Sequence, residues 1–236
     1  MQKIGRILYR EFVEGADVAY WLFLGLGLLT QVVTYLVAQS IPDIAQEMTA
    51  LSLFSGICGV MSVLLCSRRK ISYYVFGFIQ VITYIIITYQ SQLYGQSIIN
   101  LVYFVTMVYG CVNWARSYEE GVVTPRKLPW WMNIVLPVVT VGLTFVAAYI
   151  LRVTNDQQPM LDALTTVPAF VAQILMVTRF REQWWYWIFV DVVAVYMWAV
   201  AGNWCMAAQY LFWTANCIYG IVVWRGSENG KLKMEN

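Results

Sequence analysis

The residue of this sequence with the clearest potential for chemistry is an acid in the middle of a long apolar segment. Asp191 lies within WWYWIFVDVVAVYMW, and its helical face, at spacings of four and seven, includes Trp184, Trp187 and Trp198. A carboxylate beside indole rings suits a planar organic cation, which it would hold by charge pairing and cation–π contact. The alternative is that Asp191 bonds a neighbouring helix and serves packing alone.

Amide and aromatic side chains recur at helical spacing in four other apolar segments. Such groups can bind the hydroxyl and carboxamide groups of a solute, although each could equally bond one helix to another. We therefore expect a substrate-binding set with an apolar wall and a few polar contacts. Its predicted members are Asp191, Trp184, Trp185, Trp187, Gln80, Tyr84, Asn100, Tyr103, Gln173, Gln209, Trp213 and Asn216.

Several classes of function are disfavoured by residue types. The chain has no histidine, and its five cysteines form no C-x-x-C pair, so neither a metal centre nor a Ser–His or Cys–His nucleophile is expected. We predict no cofactor and no enzymatic activity. The net charge of +2 is too small to indicate a nucleic-acid partner.

The elements that must position these residues are membrane-spanning helices. Hydrophobic residues make up 60% of the chain and charged residues only 12%, about half the charged fraction of soluble domains. About 20 apolar residues are needed to cross a bilayer as a helix. The sequence predicts an all-α integral membrane protein with eight transmembrane helices, near 18–38, 48–66, 71–89, 95–115, 130–151, 160–178, 184–201 and 204–224.

The basic residues predict the orientation of these helices. With eight spans, fourteen of the 15 lysines and arginines fall on one side, and only Arg152 falls on the other. Basic loops face the cytoplasm. We therefore expect both termini to be cytoplasmic.

The sequence also contains an internal repeat. LVYFVTMVYGCVNWAR at 101–116 is similar to LFWTANCIYGIVVWRG at 211–226, an offset of 110 residues. Upstream, SRRKISYYVFGFIQ at 67–80 is aligned with TRFREQWWYWIFVD at 178–191, an offset of 111, which matches Gln80 to Asp191. A one-residue insertion between the two blocks would explain the change of offset.

The repeat divides the chain into five predicted parts: an N-terminal segment with an extra helix (1–47), a first three-helix repeat (48–116), a linker helix (117–159), a second three-helix repeat (160–226) and a cytoplasmic tail (227–236). A single linker helix gives both repeats the same orientation. We expect a 3+1+3 parallel-repeat bundle with a substrate site between the repeats, as in several transporters.

This organisation resembles that of a known family. A 3+1+3 bundle resembles the SWEET sugar-transporter fold, and the extra N-terminal helix, the W-W-Y-W stretch and Asp191 resemble the bacterial PnuC-type nicotinamide riboside transporters. The resemblance implies uptake of the NAD precursor nicotinamide riboside across the cell inner membrane by facilitated diffusion, with trapping by cytoplasmic phosphorylation. It also implies a homotrimer in contact with membrane lipid.

Alternatives remain at this point. The resemblance extends to transporters of thiamine or riboflavin, and Asp191 could carry a proton in a coupled mechanism. An ion channel would show repeated acidic or carbonyl-lined filters, which the sequence lacks. A receptor would usually carry a soluble domain, whereas the loops here are short.

Overall fold

The computed structural model describes residues 2–41, 49–90, 94–154, 158–202 and 204–234. These residues form nine α-helices and one two-stranded sheet. In chain order the elements are α1 (Gln2–Phe12), α2 (Val18–Gln39), α3 (Ala50–Ser67), α4 (Tyr73–Gln90), α5 (Tyr94–Ala115), β1 (Tyr118–Glu119), β2 (Val122–Val123), α6 (Met132–Val153), α7 (Pro159–Val177), α8 (Gln183–Val200) and α9 (Trp204–Met234). The chain divides into two compact units, Met1–Thr124 and Pro125–Asn236.

The integral membrane character predicted from composition is confirmed. Seven of the described helices, α2 to α7 and α9, are long and apolar enough to cross a membrane. Helix α8 coincides with the remaining predicted span but is not among the seven, since Gln183, Asp191 and a run of Trp and Tyr lower its hydropathy. Every predicted span begins and ends within about two residues of an observed helix, except that α9 continues to Met234.

Two elements of the first unit were not predicted. Helix α1 is short, and the spacing of its apolar residues was not read as a helix. A small hairpin, β1–β2, follows α5, and its turn places Glu120 and Gly121 at φ values of 50° and 85°. Positive φ at both turn positions matches the right-handed twist of the paired strands. The all-α prediction therefore holds for the membrane helices, and the one sheet is confined to a connection.

Buried cations attach α1 to the connection between α3 and α4. The guanidinium of Arg68 donates to the carbonyls of Phe12 at 3.0 Å and Glu14 at 2.7 Å. The ammonium of Lys70 donates to Arg10 O at 2.7 Å and Gly121 O at 3.0 Å. Burial, more than the neighbouring Arg68 charge, lowers the pKa of Lys70. These bonds satisfy carbonyls that the end of a helix leaves without partners.

The helices of the first unit pack in chain order, α2 on α3, α3 on α4 and α4 on α5. Small polar residues make the closest approach between α3 and α4. Thr83 Oγ1 donates to Ser55 Oγ at 2.8 Å, and Ser55 Oγ donates to Gln80 O at 3.3 Å. A side chain at Gly56 would overlap the Gln31 amide of α2. Such contacts are typical of helices that associate within a membrane.

The second unit repeats this arrangement with four helices. α6 packs on α7, α7 on α8 and α8 on α9. The linker preceding α6 pairs with the α7–α8 turn, where Arg126 N donates to Arg179 O at 2.7 Å and Arg181 N donates to Arg126 O at 3.0 Å. In each unit, then, three consecutive helices pack in chain order behind a fourth, α2 in the first unit and α6 in the second, and the first unit also contains α1.

The turns that follow α3 and α7 have the same backbone geometry. After α3, Arg69 has a φ of 61°, and after α7, Arg179 has a φ of 68°. Arg69 N donates to Cys66 O at 2.9 Å and Arg179 N donates to Met176 O at 3.0 Å. Both helices therefore end in the same left-handed capping turn. The equivalent residues lie 110 apart.

One part of the predicted alignment is wrong. The offset stays at 110 through α3–α5 and α7–α9, because α4 starts at Tyr73 and α8 at Gln183. No residue is inserted between the two blocks. Tyr74 is therefore equivalent to Trp184, and Asp191 is equivalent to Val81 rather than to Gln80. The runs of aromatic residues at the start of α4 and α8 made a shift of one residue look plausible.

Candidate functional site

Asp191 lies in the interior of the second unit. Its side chain is 6% exposed, and its Oδ2 accepts a hydrogen bond from the Cys217 thiol of α9 at 3.5 Å. Val190 and Ala194 are buried on the same helix. A thiol is a weak donor. Among the described residues, the hydrogen-bond partner of the buried carboxylate is thus a weak donor, which favours pairing with a cation from outside the chain.

The level of Asp191 along the bundle follows from helix geometry. Asp191 is eight residues into α8, and Cys217 is seven residues before Trp224 on the antiparallel α9. At 1.5 Å per residue these positions lie about 12 Å and about 10 Å from the same end of the unit. Asp191 therefore sits near the middle of its helix, at the same level as Cys217 and the adjacent Asn216.

Trp184 belongs to the packing of α8 against α9. Its side chain is 2% exposed and meets Trp224 edge to face, with ring centroids 5.8 Å apart and an interplanar angle of 84°. A Cβ on Gly220 would stand 2.6 Å from the Trp184 ring, so only glycine permits this approach. In the first unit Tyr74 and Trp114 make the equivalent contact, at 5.6 Å and 89°.

The other two tryptophans predicted on α8 differ in their surroundings. Trp185 is 53% exposed, and the Arg225 guanidinium lies 5.6 Å from its ring centroid. Trp185 therefore points away from the face that bears Asp191. Trp187 is half-buried, four residues from Asp191 and on the same face of α8. Among the predicted tryptophans of α8, Trp187 is the one nearest in level to the carboxylate.

Amide groups from the neighbouring helices are buried in the same unit. Gln173 of α7 is 4% exposed and Asn216 of α9 is 0% exposed. Gln209 and Trp213 of α9 are half-buried, and with Asn216 they follow a spacing of three and four. The helices that carry these residues, α7 and α9, both pack on α8. The second unit thus combines a carboxylate, amides and indoles in one three-helix repeat.

The remaining predicted residues belong to the first unit. Gln80 is half-buried and its amide lies against Gly59 of α3, where a Cβ would stand 3.1 Å from Gln80 Nε2. Tyr84 is 42% exposed. Asn100 is buried and Tyr103 half-buried on α5. Each of these residues takes part in, or adjoins, the packing of α3, α4 and α5.

Two polar residues of the second unit were missed by sequence reasoning. Cys217 donates to Asp191, a role that the absence of a C-x-x-C pair gave no reason to expect. Gln183 is fully buried, and within the described part of the chain neither atom of its amide has a hydrogen-bond partner. Its position at the first residue of α8, next to a Trp-Trp pair, concealed it.

A comparison with protein families matches most of the chain. Residues 49–226 match the family model described as "Nicotinamide mononucleotide transporter". The match begins just before α3, includes both three-helix repeats and ends within α9.

Individual relatives extend the similarity to the N-terminal helices. The nicotinamide riboside transporter PnuC of Haemophilus influenzae is 32% identical, and the alignment covers 92% of this chain and 94% of the relative. The protein of the same name from Neisseria mucosa is 30% identical over 87% of this chain and 80% of its own length. A crystal structure of the vitamin B3 transporter PnuC is 28% identical, with a TM-score of 0.74 over 93% of this chain and 95% of that one.

Proposed function

Since this chain belongs to the nicotinamide mononucleotide transporter family, we propose that it carries nicotinamide riboside across a membrane. The observation that carries the proposal is the similarity over nearly the whole chain to relatives named for that riboside. The buried Asp191 supports it, because the nicotinamide ring of the oxidised riboside is a planar cation.

The charge of the second unit favours the riboside over the mononucleotide. A nucleotide adds a phosphate, which proteins bind with arginine, lysine or clustered backbone amides. No lysine or arginine occurs within 183–200 or 204–224, whereas Asp191 lies mid-helix. A phosphate at that level would meet a carboxylate and no cation of α8 or α9. The uncharged ribose hydroxyls, in contrast, suit amides such as Asn216 and Gln173.

The binding set of the proposed site is centred on α8. Asp191 pairs with the pyridinium, Trp187 contributes an aromatic face, and the amides of α7 and α9 bind the ribose and carboxamide. Trp184 acts by positioning α8 against α9, which fixes the depth of Asp191. We place transport in the class of facilitated diffusion, with accumulation driven by phosphorylation inside the cell.

The proposed topology has eight spans, with α8 as the one that hydropathy alone does not select. An 18-residue helix is about 27 Å long, close to the thickness of the hydrocarbon core. The basic loops favour cytoplasmic termini. The inner membrane is what the resemblance to the bacterial family implies. By resemblance to its family the protein is a homotrimer. Native mass spectrometry should therefore give three times the 27.2 kDa chain mass.

A binding panel tests the choice of substrate. Purified full-length protein is titrated with nicotinamide riboside, its mononucleotide, thiamine and riboflavin, with fluorescence of the 11 tryptophans as the readout. We expect saturable quenching by the riboside, and at least about tenfold weaker binding of the mononucleotide because its phosphate has no partner near Asp191. Tighter binding of thiamine or riboflavin would reassign the substrate within the vitamin class.

A further inference from the structure

A cavity lies at the end of the second unit where α6 and α8 begin. It has a volume of about 220 Å³, and its lining includes Lys127, Asn133, Arg181, Glu182 and Arg225. Trp185 also lines it, with the Arg225 guanidinium over its ring. Asp191 is not among the lining residues, and it lies about 12 Å from this end of α8 at 1.5 Å per residue.

The charges of this cavity are unbalanced. Its one carboxylate, Glu182, is already engaged: Oε1 lies 3.4 Å from Arg181 Nε, and Oε2 accepts the Leu128 N–H at 3.2 Å. Within the described residues, neither Lys127 nor Arg225 has a carboxylate within ion-pair distance. Among the described residues, these two cations of the cavity therefore have no anionic partner.

Helix direction adds to the positive potential. α6 begins at Met132 and α8 at Gln183, each beside a residue that lines the cavity. The N-terminal end of a helix carries a partial positive charge. The first-turn N–H groups are bonded within the chain, for example Asn133 N to Trp130 O at 3.2 Å and Trp184 N to Arg181 O at 3.4 Å, so the helix dipoles add to the positive potential without offering free donors.

We propose that this cavity binds a phosphate group, with Lys127 and Arg225 as its charged contacts and Trp185 as its wall. Phosphate oxygens suit this set because guanidinium and ammonium donors form short, charge-assisted bonds with them. The phosphate belongs either to a small phosphorylated solute or to the headgroup of a phospholipid. In the proposed topology the cavity opens at the cytoplasmic side, where both are present. The proposal concerns binding alone, so it stands or falls independently of the transported substrate.

Calorimetry on the full-length protein in an uncharged detergent tests the solute. Glycerol 3-phosphate and inorganic phosphate are titrated at fixed ionic strength, with glycerol as the uncharged comparison. The lipid arm uses native mass spectrometry of protein released from nanodiscs of phosphatidylcholine with or without phosphatidylglycerol, and counts retained lipid. Saturable binding in the first arm identifies a solute, and selective retention of phosphatidylglycerol identifies a headgroup.

Substitutions in the lining test whether the phosphate group binds in this cavity. Lys127→Gln combined with Arg225→Gln should weaken binding at least about tenfold in whichever of the two experiments detects it. This is the usual loss when charge-assisted bonds are removed. Arg116→Gln, which removes an exposed cation of the first unit, should change nothing. Lys127→Arg with Arg225→Lys keeps the charge and should retain binding even if the neutral variant folds poorly. Absence of binding in both arms, or an equal loss in Arg116→Gln, would overturn the proposal.

Discussion

At the scale of single residues, burial of the Asp191 carboxylate in the middle of α8 costs free energy, and this cost indicates that the side chain has a role. A carboxylate in the middle of a membrane helix is tolerated when it is paired, hydrated or functional. Asp191 accepts a hydrogen bond from a thiol at 3.5 Å, which compensates poorly for the burial of its charge. A cationic substrate would supply the missing charge. In the proposed site, the carboxylate would therefore connect the packing of α8 and α9 with recognition of the pyridinium.

Asp191→Asn separates charge from shape. We expect the variant to fold, to bind oxidised nicotinamide riboside about ten- to a hundredfold more weakly, and to keep its affinity for the uncharged reduced riboside. Titration of both ligands by tryptophan fluorescence measures the difference. Asp162→Asn, a carboxamide change in the first turn of α7, is the matched control and should leave both affinities unchanged. Equal binding of the two ligands by a stable Asp191→Asn protein would remove Asp191 from the site.

Gly220→Ala tests the packing role of Trp184. The added methyl would stand 2.6 Å from the indole, so α8 and α9 must separate or the ring must move. We expect the free energy of unfolding to fall by about 1–3 kcal/mol, as for other overpacked interiors, and riboside affinity to fall with it. The melting temperature in detergent gives the measurement. Gly142→Ala in α6, where nothing lies within 4 Å, should not destabilise. Equal melting temperatures for both variants would mean that Trp184 does not set the α8–α9 distance.

At the scale of elements, the turns after α3 and α7 are the places where other segments of each unit attach. Arg69 and Arg179 close the same capping turn. The first unit adds buried Arg68 and Lys70, which hold the end of α1. In both units a backbone N–H from the segment between α5 and α6 bonds to this turn: Val123 N donates to Arg69 O at 2.9 Å, and Arg126 N donates to Arg179 O at 2.7 Å. The turn of the first unit is covered in addition by the end of α1.

Lys70→Met should loosen α1 from the first unit. The change leaves the carbonyls of Arg10 and Gly121 without their donor, a loss of about 1–3 kcal/mol of unfolding free energy. Burial lowers the pKa of Lys70, so some of that loss is offset by no longer having to bury a charge. Limited proteolysis near the N-terminus and the melting temperature measure the effect. Arg116→Met, at an exposed cation, serves as the control; cleavage equal to that of the control would refute the attachment.

Helix positions could be predicted from the sequence because length and apolarity are sufficient to identify membrane helices. The register of the repeat could not, because Tyr73-Tyr74 aligns as readily with Trp184-Trp185 as with Gln183-Trp184. Only the position of the capping turn distinguishes the two alignments. The depth of Asp191 was also predictable. Its partner Cys217 was not, since a buried cysteine is most often an apolar core residue.

At the scale of the whole molecule, eight spans and cytoplasmic termini remain predictions from charge. A reporter active only in the cytoplasm should work when fused after Asn236 and be silent when inserted at Ser91. A reporter inserted next to Lys127 should again be active, because this basic loop is also predicted to face the cytoplasm. A silent C-terminal fusion would mean that the number of spans is odd, and α8 would then be the helix to re-examine.

The central claim is that the protein equilibrates nicotinamide riboside across a membrane. The most direct measurement is entry of labelled riboside into liposomes that contain the purified protein and have no ion gradient. We predict saturable entry that stops at equal internal and external concentrations, continues to accumulate only when a riboside kinase and ATP are enclosed, and slows in Asp191→Asn. No entry above that of empty liposomes, or entry that requires an imposed proton or sodium gradient, would contradict it.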